Sequence, residues 1–194
     1  MNEAIELFRA GGWVMWPIAV VSLAIAYLAW ERVAYVWRST RFDAGRATIH
    51  WSDAQPAERT GRDTAIERIL RYTFAGPAAT RRGRFHESVA AEAHALGERL
   101  GVLGTLVAAA PLLGLLGTVT GMIETFDTLE AIGASSPQAL SGGISQALFT
   151  TQAGLLVSLP GLYAHRWLVR RKRMFEQELA RVERELAPAF EEAV

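Results

Sequence analysis

The chain has 194 residues, of which 51% are hydrophobic and 21% charged, and its mean hydropathy is +0.15, too apolar for an ordinary soluble domain. Its 20 Lys+Arg balance its 20 Asp+Glu, so no bulk charge attracts nucleic acid or an acidic partner. The absence of Cys excludes a disulfide framework, a thiolate metal site and thiol chemistry.

The apolar residues are clustered into three charge-free runs: Ala10 to Trp30, Leu100 to Ile123 and Ala131 to Ala164, of 21, 24 and 34 residues. Soluble core helices rarely stay charge-free past about 18 residues, so the pattern predicts a membrane protein. As a helix of about 1.5 Å per residue, the first run is about 31 Å long, which matches a hydrocarbon core of about 30 Å. Trp13 and Trp16 flank its start and Trp30, Tyr35 and Trp37 its end, the depth at which amphipathic rings settle. Pro17 falls in the first turn, where a missing N–H costs little. A cleaved signal peptide does not suit the leader, because Glu3 and Glu6 outweigh Arg9.

The segment from 39 to 99 is predicted to be helical, with a break near Gln55-Pro56 and Gly61. Within it, Ile66, Ile69, Leu70 and Thr73 share one helix face. The second span is expected at 100–126. The 34-residue run is too long for one crossing, and Gly133, Ser135, Ser136, Pro137, Ser141, Gly142 and Gly143 suggest an outer loop over 127–143. A third span at 144–167 then completes a membrane hairpin, and 168–194 forms a tail helix with Leu168, Phe175, Leu179, Val182 and Leu186 at heptad-like spacing. The residues 1–38 hold the first span. The expectation is an all-α integral membrane protein with three transmembrane helices and long helical extensions.

Charge distribution orients it. The stretch from Glu124 to Gly143 has three acids and no Lys or Arg, whereas Glu31 to Leu100 has twelve Arg and the chain from His165 onward has seven Lys+Arg. By the positive-inside rule the N-terminus and the hairpin loop face outward, and the middle segment and tail face the cytoplasm.

In the second span Pro111, Gly114, Thr118, Gly121 and Thr125 recur every three or four residues, and in the third Ala147, Thr151, Gly154, Ser158 and Gly161 do the same. Small stripes of this kind let helices approach closely in lipid, and they are expected to seat partner helices. Gln146 and Thr150 lie on the neighbouring face, so the hairpin carries a polar line through a medium where such groups are costly. Hydroxyls both donate and accept, which suits proton relay, but they do not titrate near neutral pH. The three spans hold no Asp, Glu, His or Lys in mid-membrane, so a titrating carboxylate must come from another chain. Packing alone is the competing explanation, since a membrane Thr can simply bond its own i−4 carbonyl.

Other chemistry is poorly supported. The Gly-rich run from Gly114 to Gly121 lacks the Lys of a phosphate loop, and Lys172 is the only Lys in the chain. His50, His86, His94 and His165 show no metal-ligand spacing, and no cofactor is implied. His94 and Glu98 read as a surface pair. Arg170, Arg171, Lys172 and Arg173 form a lipid-headgroup and topology anchor rather than a nucleic-acid patch. No nucleophile, base and metal converge, so an enzyme is not expected.

The string Ala-Pro-Leu-Leu-Gly-Leu-Leu-Gly-Thr-Val-Thr-Gly-Met-Ile from Ala110 to Ile123, followed by Gly-Ile-Ser-Gln-Ala-Leu-Phe-Thr-Thr-Gln-Ala-Gly-Leu-Leu-Val-Ser-Leu-Pro-Gly from Gly143 to Gly161, resembles the signature of the MotA/TolQ/ExbB proton channel family, nearest its ExbB branch. The likeness runs from about Gly101 to Lys172, with weaker similarity in Trp16-Pro17 and Trp30-Glu31-Arg32. It implies a homopentamer in the bacterial inner membrane around a dimer of a single-span ExbD-like partner whose membrane Asp carries protons. Such a motor drives TonB-dependent transport across the outer membrane through a TonB-like protein. By matching positions, Thr118 and Thr151 face that Asp, and Pro111 and Pro160 are helix-bending positions. Where many ExbB and TolQ proteins carry Glu, this chain has Gln146, which hydrogen-bonds but holds no charge. A TolQ- or MotA-like motor for envelope constriction or movement, and a non-conducting membrane scaffold, remain open alternatives.

Overall fold

The computed structural model describes residues 11–39, 65–132 and 137–191. Five α-helices carry them: α1 (Met15–Ser39), α2 (Ala65–Phe74), α3 (Arg81–Gly97), α4 (Leu100–Ile132) and α5 (Pro137–Glu191). A single 3-10 turn, Ala78–Thr80, precedes α3. There is no strand among the described residues. Helices α1, α4 and α5 are long and apolar enough to cross a membrane, the count expected from the three charge-free runs. The predicted break at Gln55-Pro56 and Gly61 lies outside the described residues.

The chain divides into two compact units. The first, residues 1–30 and 99–166, contains the apolar parts of α1, α4 and α5. Its interior is built from Val14, Ile18 and Ile25 of α1 and its leading turn, with Leu103, Val107 and Ala110 of α4 and Ala147 of α5. The three helices meet where α5 has no side chain. A methyl group on Gly161 would stand 2.7 Å from Val107 Cγ2 and 2.8 Å from Ile25 Cγ2. The opposite faces carry large exposed apolar residues, among them Val20, Leu23 and Tyr27 on α1, Leu112, Leu115 and Val119 on α4, and Leu155, Leu156 and Leu159 on α5. Such a surface suits hydrocarbon, which solvates apolar side chains without cost. Trp13, Trp16 and Trp30 are exposed at the two ends of the first span, as interfacial rings should be.

The second unit, residues 31–98 and 167–194, is the polar one. Ile69 and Thr73 of α2 are buried while Arg71 and Tyr72 are exposed, which follows the predicted amphipathic face. All five tail residues at heptad-like spacing, Leu168, Phe175, Leu179, Val182 and Leu186, are buried. Phe85 and Leu96 of α3 add to this core. Arg68 grips Glu92 with two parallel bonds, Nε to Oε1 at 2.8 Å and a terminal nitrogen to Oε2 at 3.1 Å, a fork geometry that fixes α2 on α3. His86 Nε2 lies 3.3 Å from Glu183 Oε1 and so ties α3 to the tail of α5.

Arg32 is the buried cation among the described residues of this unit, at 5% exposure. One terminal nitrogen donates to the Ala95 carbonyl at 3.1 Å, and the other lies 3.5 Å from Glu98 Oε2 and 3.9 Å from Glu31 Oε1. Glu98, expected to form a surface pair with His94, thus lies against Arg32 of α1. Loss of a buried charge partner leaves the remaining polar groups unpaired. Arg32→Ala is expected to destabilise the protein by about 2–3 kcal/mol. Arg181→Ala, which breaks only the exposed 3.1 Å pair with Glu185, should cost less than about 0.5 kcal/mol. Thermal unfolding of the two variants in detergent checks the ranking.

Two helix boundaries differ from the sequence expectation. The expected outer loop over 127–143 is helical at both ends, since α4 runs to Ile132 and α5 begins at Pro137. Proline is favoured in the first turn of a helix, so Pro137 starts α5 rather than extending the loop. Ser141, Gly142 and Gly143 are correspondingly helical. The helical segment expected over 39–99 does not run on into the second span, because Arg99 adopts a left-handed φ of 62° between α3 and α4. The tail side, by contrast, is one uninterrupted helix, the 55 residues of α5.

Candidate functional site

The site is built on the hairpin of α4 and α5, within the first unit. The two helices are antiparallel, and their register is fixed by missing side chains. A methyl group on Gly121 would stand 2.8 Å from the Gly143 carbonyl oxygen and 3.1 Å from Ala147 N. One turn inward, Gly117 is filled by Thr150. Next, a methyl on Gly114 would meet the Thr150 carbonyl oxygen at 3.0 Å and Thr151 Cα at 3.2 Å, and one on Gly154 would meet the Ala110 carbonyl oxygen at 2.7 Å and Gly114 Cα at 3.1 Å. Each neighbour here is mostly backbone, so the two helices approach as closely as main chains allow.

Gly114, Gly121, Ala147 and Gly154, expected to seat a partner helix, therefore pack against the chain's own hairpin. Thr125 joins them, at 4% exposure and wedged against Gly143. Thr150 is completely buried on Gly117, and Ser158 is 7% exposed. These three hydroxyls serve the interior of one chain. Thr125 Oγ1 donates to the Gly121 carbonyl at 2.8 Å, Thr150 Oγ1 to that of Ala147 at 3.0 Å, and Ser158 Oγ to that of Leu155 at 3.0 Å.

Thr118 and Thr151 are different. Both are half-exposed, and the register brings them to about the same level of the hairpin. Thr118 Oγ1 donates to the Leu115 carbonyl at 2.7 Å, and Thr151 Oγ1 to the Ala147 carbonyl at 3.0 Å. Each hydroxyl proton is thus parked on its own helix, and the oxygen lone pairs remain available to an incoming donor. Pro111, one heptad before Thr118, is half-buried, and Pro160 is exposed. Neither proline has an N–H to give the carbonyl four residues earlier, so each removes one main-chain hydrogen bond from its helix.

Gln146 sits one turn outward of Thr150, at the edge of the hairpin. Gly12, with φ of 67°, folds over it, and a methyl on Gly12 would stand only 2.5 Å from Gln146 Nε2. Positive φ and this close approach together require glycine there. The amide nitrogen is buried and has no hydrogen-bond partner among the described residues. The leading turn of the first span therefore lies against the position at which Gln146 replaces the carboxylate suggested by the family resemblance.

Three contact positions escaped the sequence reading: Ala110, Gly117 and Gly143. Gly117 and Gly143 were visible as small residues, but nothing in one helix's period marks which small residue meets a neighbour.

A three-span helical membrane protein, with a close-packed hairpin on which Thr118 and Thr151 are among the half-exposed hydroxyls, is the class that this fold and site define. A profile of the MotA/TolQ/ExbB proton channel family matches residues 62–181, and the chain belongs to that family. It is 34% identical over 184 residues to the biopolymer transport protein ExbB-like 1 of Synechocystis sp., covering 85% of this chain and 70% of the relative. To the biopolymer transport protein exbB1 of Vibrio cholerae it is 30% identical over 178 residues, covering 84% of this chain and 77% of the relative. The ExbB of Xanthomonas campestris is 30% identical over 127 residues, 63% of this chain and 44% of that protein. The ExbB branch foreseen from the hairpin motif is thus the one to which these relatives belong, and the family is one of transport subunits rather than enzymes.

Proposed function

We propose that the chain is the proton-channel stator subunit of a bacterial inner-membrane motor, with its N-terminus in the periplasm and its tail in the cytoplasm. Five copies surround a dimer of an ExbD-like single-span protein, and its membrane Asp exchanges protons beside Thr118 and Thr151. The motor couples proton-motive force, through a TonB-like protein, to transport across the outer membrane. The observation that carries this reading is the sorting of the hairpin hydroxyls. Thr125, Thr150 and Ser158 are packed away, whereas Thr118, Thr120 and Thr151 stay half-exposed, and of these Thr118 and Thr151 lie at about one level on the two helices. Gln146 supplies no charge, which agrees with a carboxylate brought by the partner. Each proton moved through a 100 mV potential supplies about 2.3 kcal/mol, so one mechanical step requires several.

Native mass spectrometry of the detergent-extracted protein, co-expressed with the single-span membrane protein encoded beside it, tests the architecture. Five copies retaining one or two copies of an Asp-bearing partner are expected. A monomer or dimer that retains no partner would overturn the motor reading and favour a scaffold whose hydroxyls only pack.

A further inference from the structure

We propose that Thr150 is a positioning residue of the hairpin: its side chain, seated in the hole left by Gly117, sets the alignment of α4 and α5 that brings the Thr118 and Thr151 hydroxyls level. The inference rests on the proton-channel reading above and gives a role to a buried residue that never meets the proton.

At Gly114 and Gly154 the two helices meet main chain to main chain, a contact that leaves room for sliding. At Gly117 the neighbour is instead a whole branched side chain. A methyl on Gly117 would run into Cβ and Oγ1 of Thr150 and stand 2.8 Å from its Cγ2, so the threonine fills the hole. The filling group is itself held. Thr150 Oγ1 shares its proton between the Gln146 carbonyl at 3.1 Å and the Ala147 carbonyl at 3.0 Å. Its Cγ2 packs against the leading turn of the first span, where a methyl on Gly11 would stand 3.5 Å away. Branching at Cβ and these bonds to the preceding turn leave the side chain little rotameric freedom.

The seated side chain lies beside both hydroxyls of the candidate path. Thr118 follows Gly117 and Thr151 follows Thr150. One residue of helix is about 1.5 Å of rise and about 100° of rotation. Because α4 runs toward the hairpin loop and α5 away from it, Thr118 lies about 1.5 Å to the loop side of the seat and Thr151 about 1.5 Å to the other side. The two are thereby held within about 3 Å in level and at fixed angles to the seat. Any slide or turn of α5 on α4 at this point reaches both hydroxyls directly, since no residue stands between to absorb it. A misplacement of about 1 Å can cost about 10²-fold in rate, so shape at 117 and 150 governs conduction although neither residue carries the proton.

The test measures dye-reported proton flux in vesicles containing the full chain and its single-span partner, expressed per assembled complex as counted by native mass spectrometry. Loss of folded protein then does not register as loss of flux. Thr150→Ala, which empties the hole, is expected to lower flux by about tenfold, whereas Thr150→Val, which keeps the branched shape, should retain it. Gly117→Ala, which fills the hole from the other side, should be at least as impaired. Combined with Thr150→Ala, it exchanges which helix supplies the methyl and is expected to return flux to within about twofold of wild type. If Gly117→Ala fails to assemble, the contrast between alanine and valine at 150 still decides. Wild-type flux in Thr150→Ala, with Thr151→Val blocked, would overturn the positioning role and leave the channel reading standing. Equal loss in Thr150→Val and Thr150→Ala would make the hydroxyl rather than the shape responsible and also overturn it, as would a double variant no better than Thr150→Ala alone. An absence of flux in the unaltered complex would remove both readings.

Discussion

Thr151→Val is expected to leave assembly intact and reduce proton flux by about 10²-fold or more. Valine has the shape of threonine with a methyl in place of the hydroxyl, so packing against Gly114 is preserved. The lost bond to the Ala147 carbonyl should cost less than about 1 kcal/mol, because that carbonyl still accepts the main-chain N–H of residue 151. What disappears is the pair of lone pairs on a half-exposed oxygen. The decisive contrast is Thr150→Val, one residue away. Thr150 is fully buried on Gly117, so its hydroxyl has no access to a passing proton and flux should persist. Thr151→Ser should restore conduction in part. Dye-based flux in vesicles, with native mass spectrometry of each variant, checks all three. Unchanged flux in Thr151→Val would return that hydroxyl to packing.

The largest effect on stability is expected from a single methyl group. Gly154→Ala places a carbon 2.7 Å from the Ala110 carbonyl oxygen and 3.1 Å from Gly114 Cα, both main-chain atoms that cannot rotate aside. The helices must separate along the hairpin, and the variant should lose about 3 kcal/mol or more. Gly83→Ala gives the opposite sign. It lies within α3 with nothing inside 4 Å of the new methyl, so alanine's better helix propensity should stabilise by about 0.5–1 kcal/mol. Thermal unfolding in detergent compares the two. Equal melting temperatures would mean that the hairpin is not held by main-chain contact.

Much of the architecture was legible because it depends on one helix at a time. Charge-free length marked three spans, and the heptad-like period from Leu168 to Leu186 named five residues that are buried. The site was legible only as a set. Gly114, Thr118, Gly121 and Thr125 share one stripe, and period alone treats them alike. Which of them is buried depends on where α5 crosses, a relation between two helices that neither sequence contains by itself. The ends of α4 and α5 were misjudged for a related reason. Hydropathy reports the thickness of the bilayer, whereas backbone bonding continues as far as local residues permit. The interruption at Arg99 falls between Gly97 and Gly101, but the left-handed residue is itself an arginine, which period and composition do not single out.

The hydroxyls of the hairpin bear on how the protein is made. Thr118, Thr120, Thr125, Thr150, Thr151 and Ser158 each donate to a carbonyl three or four residues earlier on the same helix. None of these six hydroxyls needs a neighbouring helix to quiet its donor, so in this respect each span can leave the insertion machinery singly and enter lipid. Pairing of α4 with α5 can then follow as a separate event in the plane of the bilayer, guided by where side chains are missing. A chain made in this order exposes no unsatisfied polar side-chain donor from these residues to the membrane while it waits for its partners.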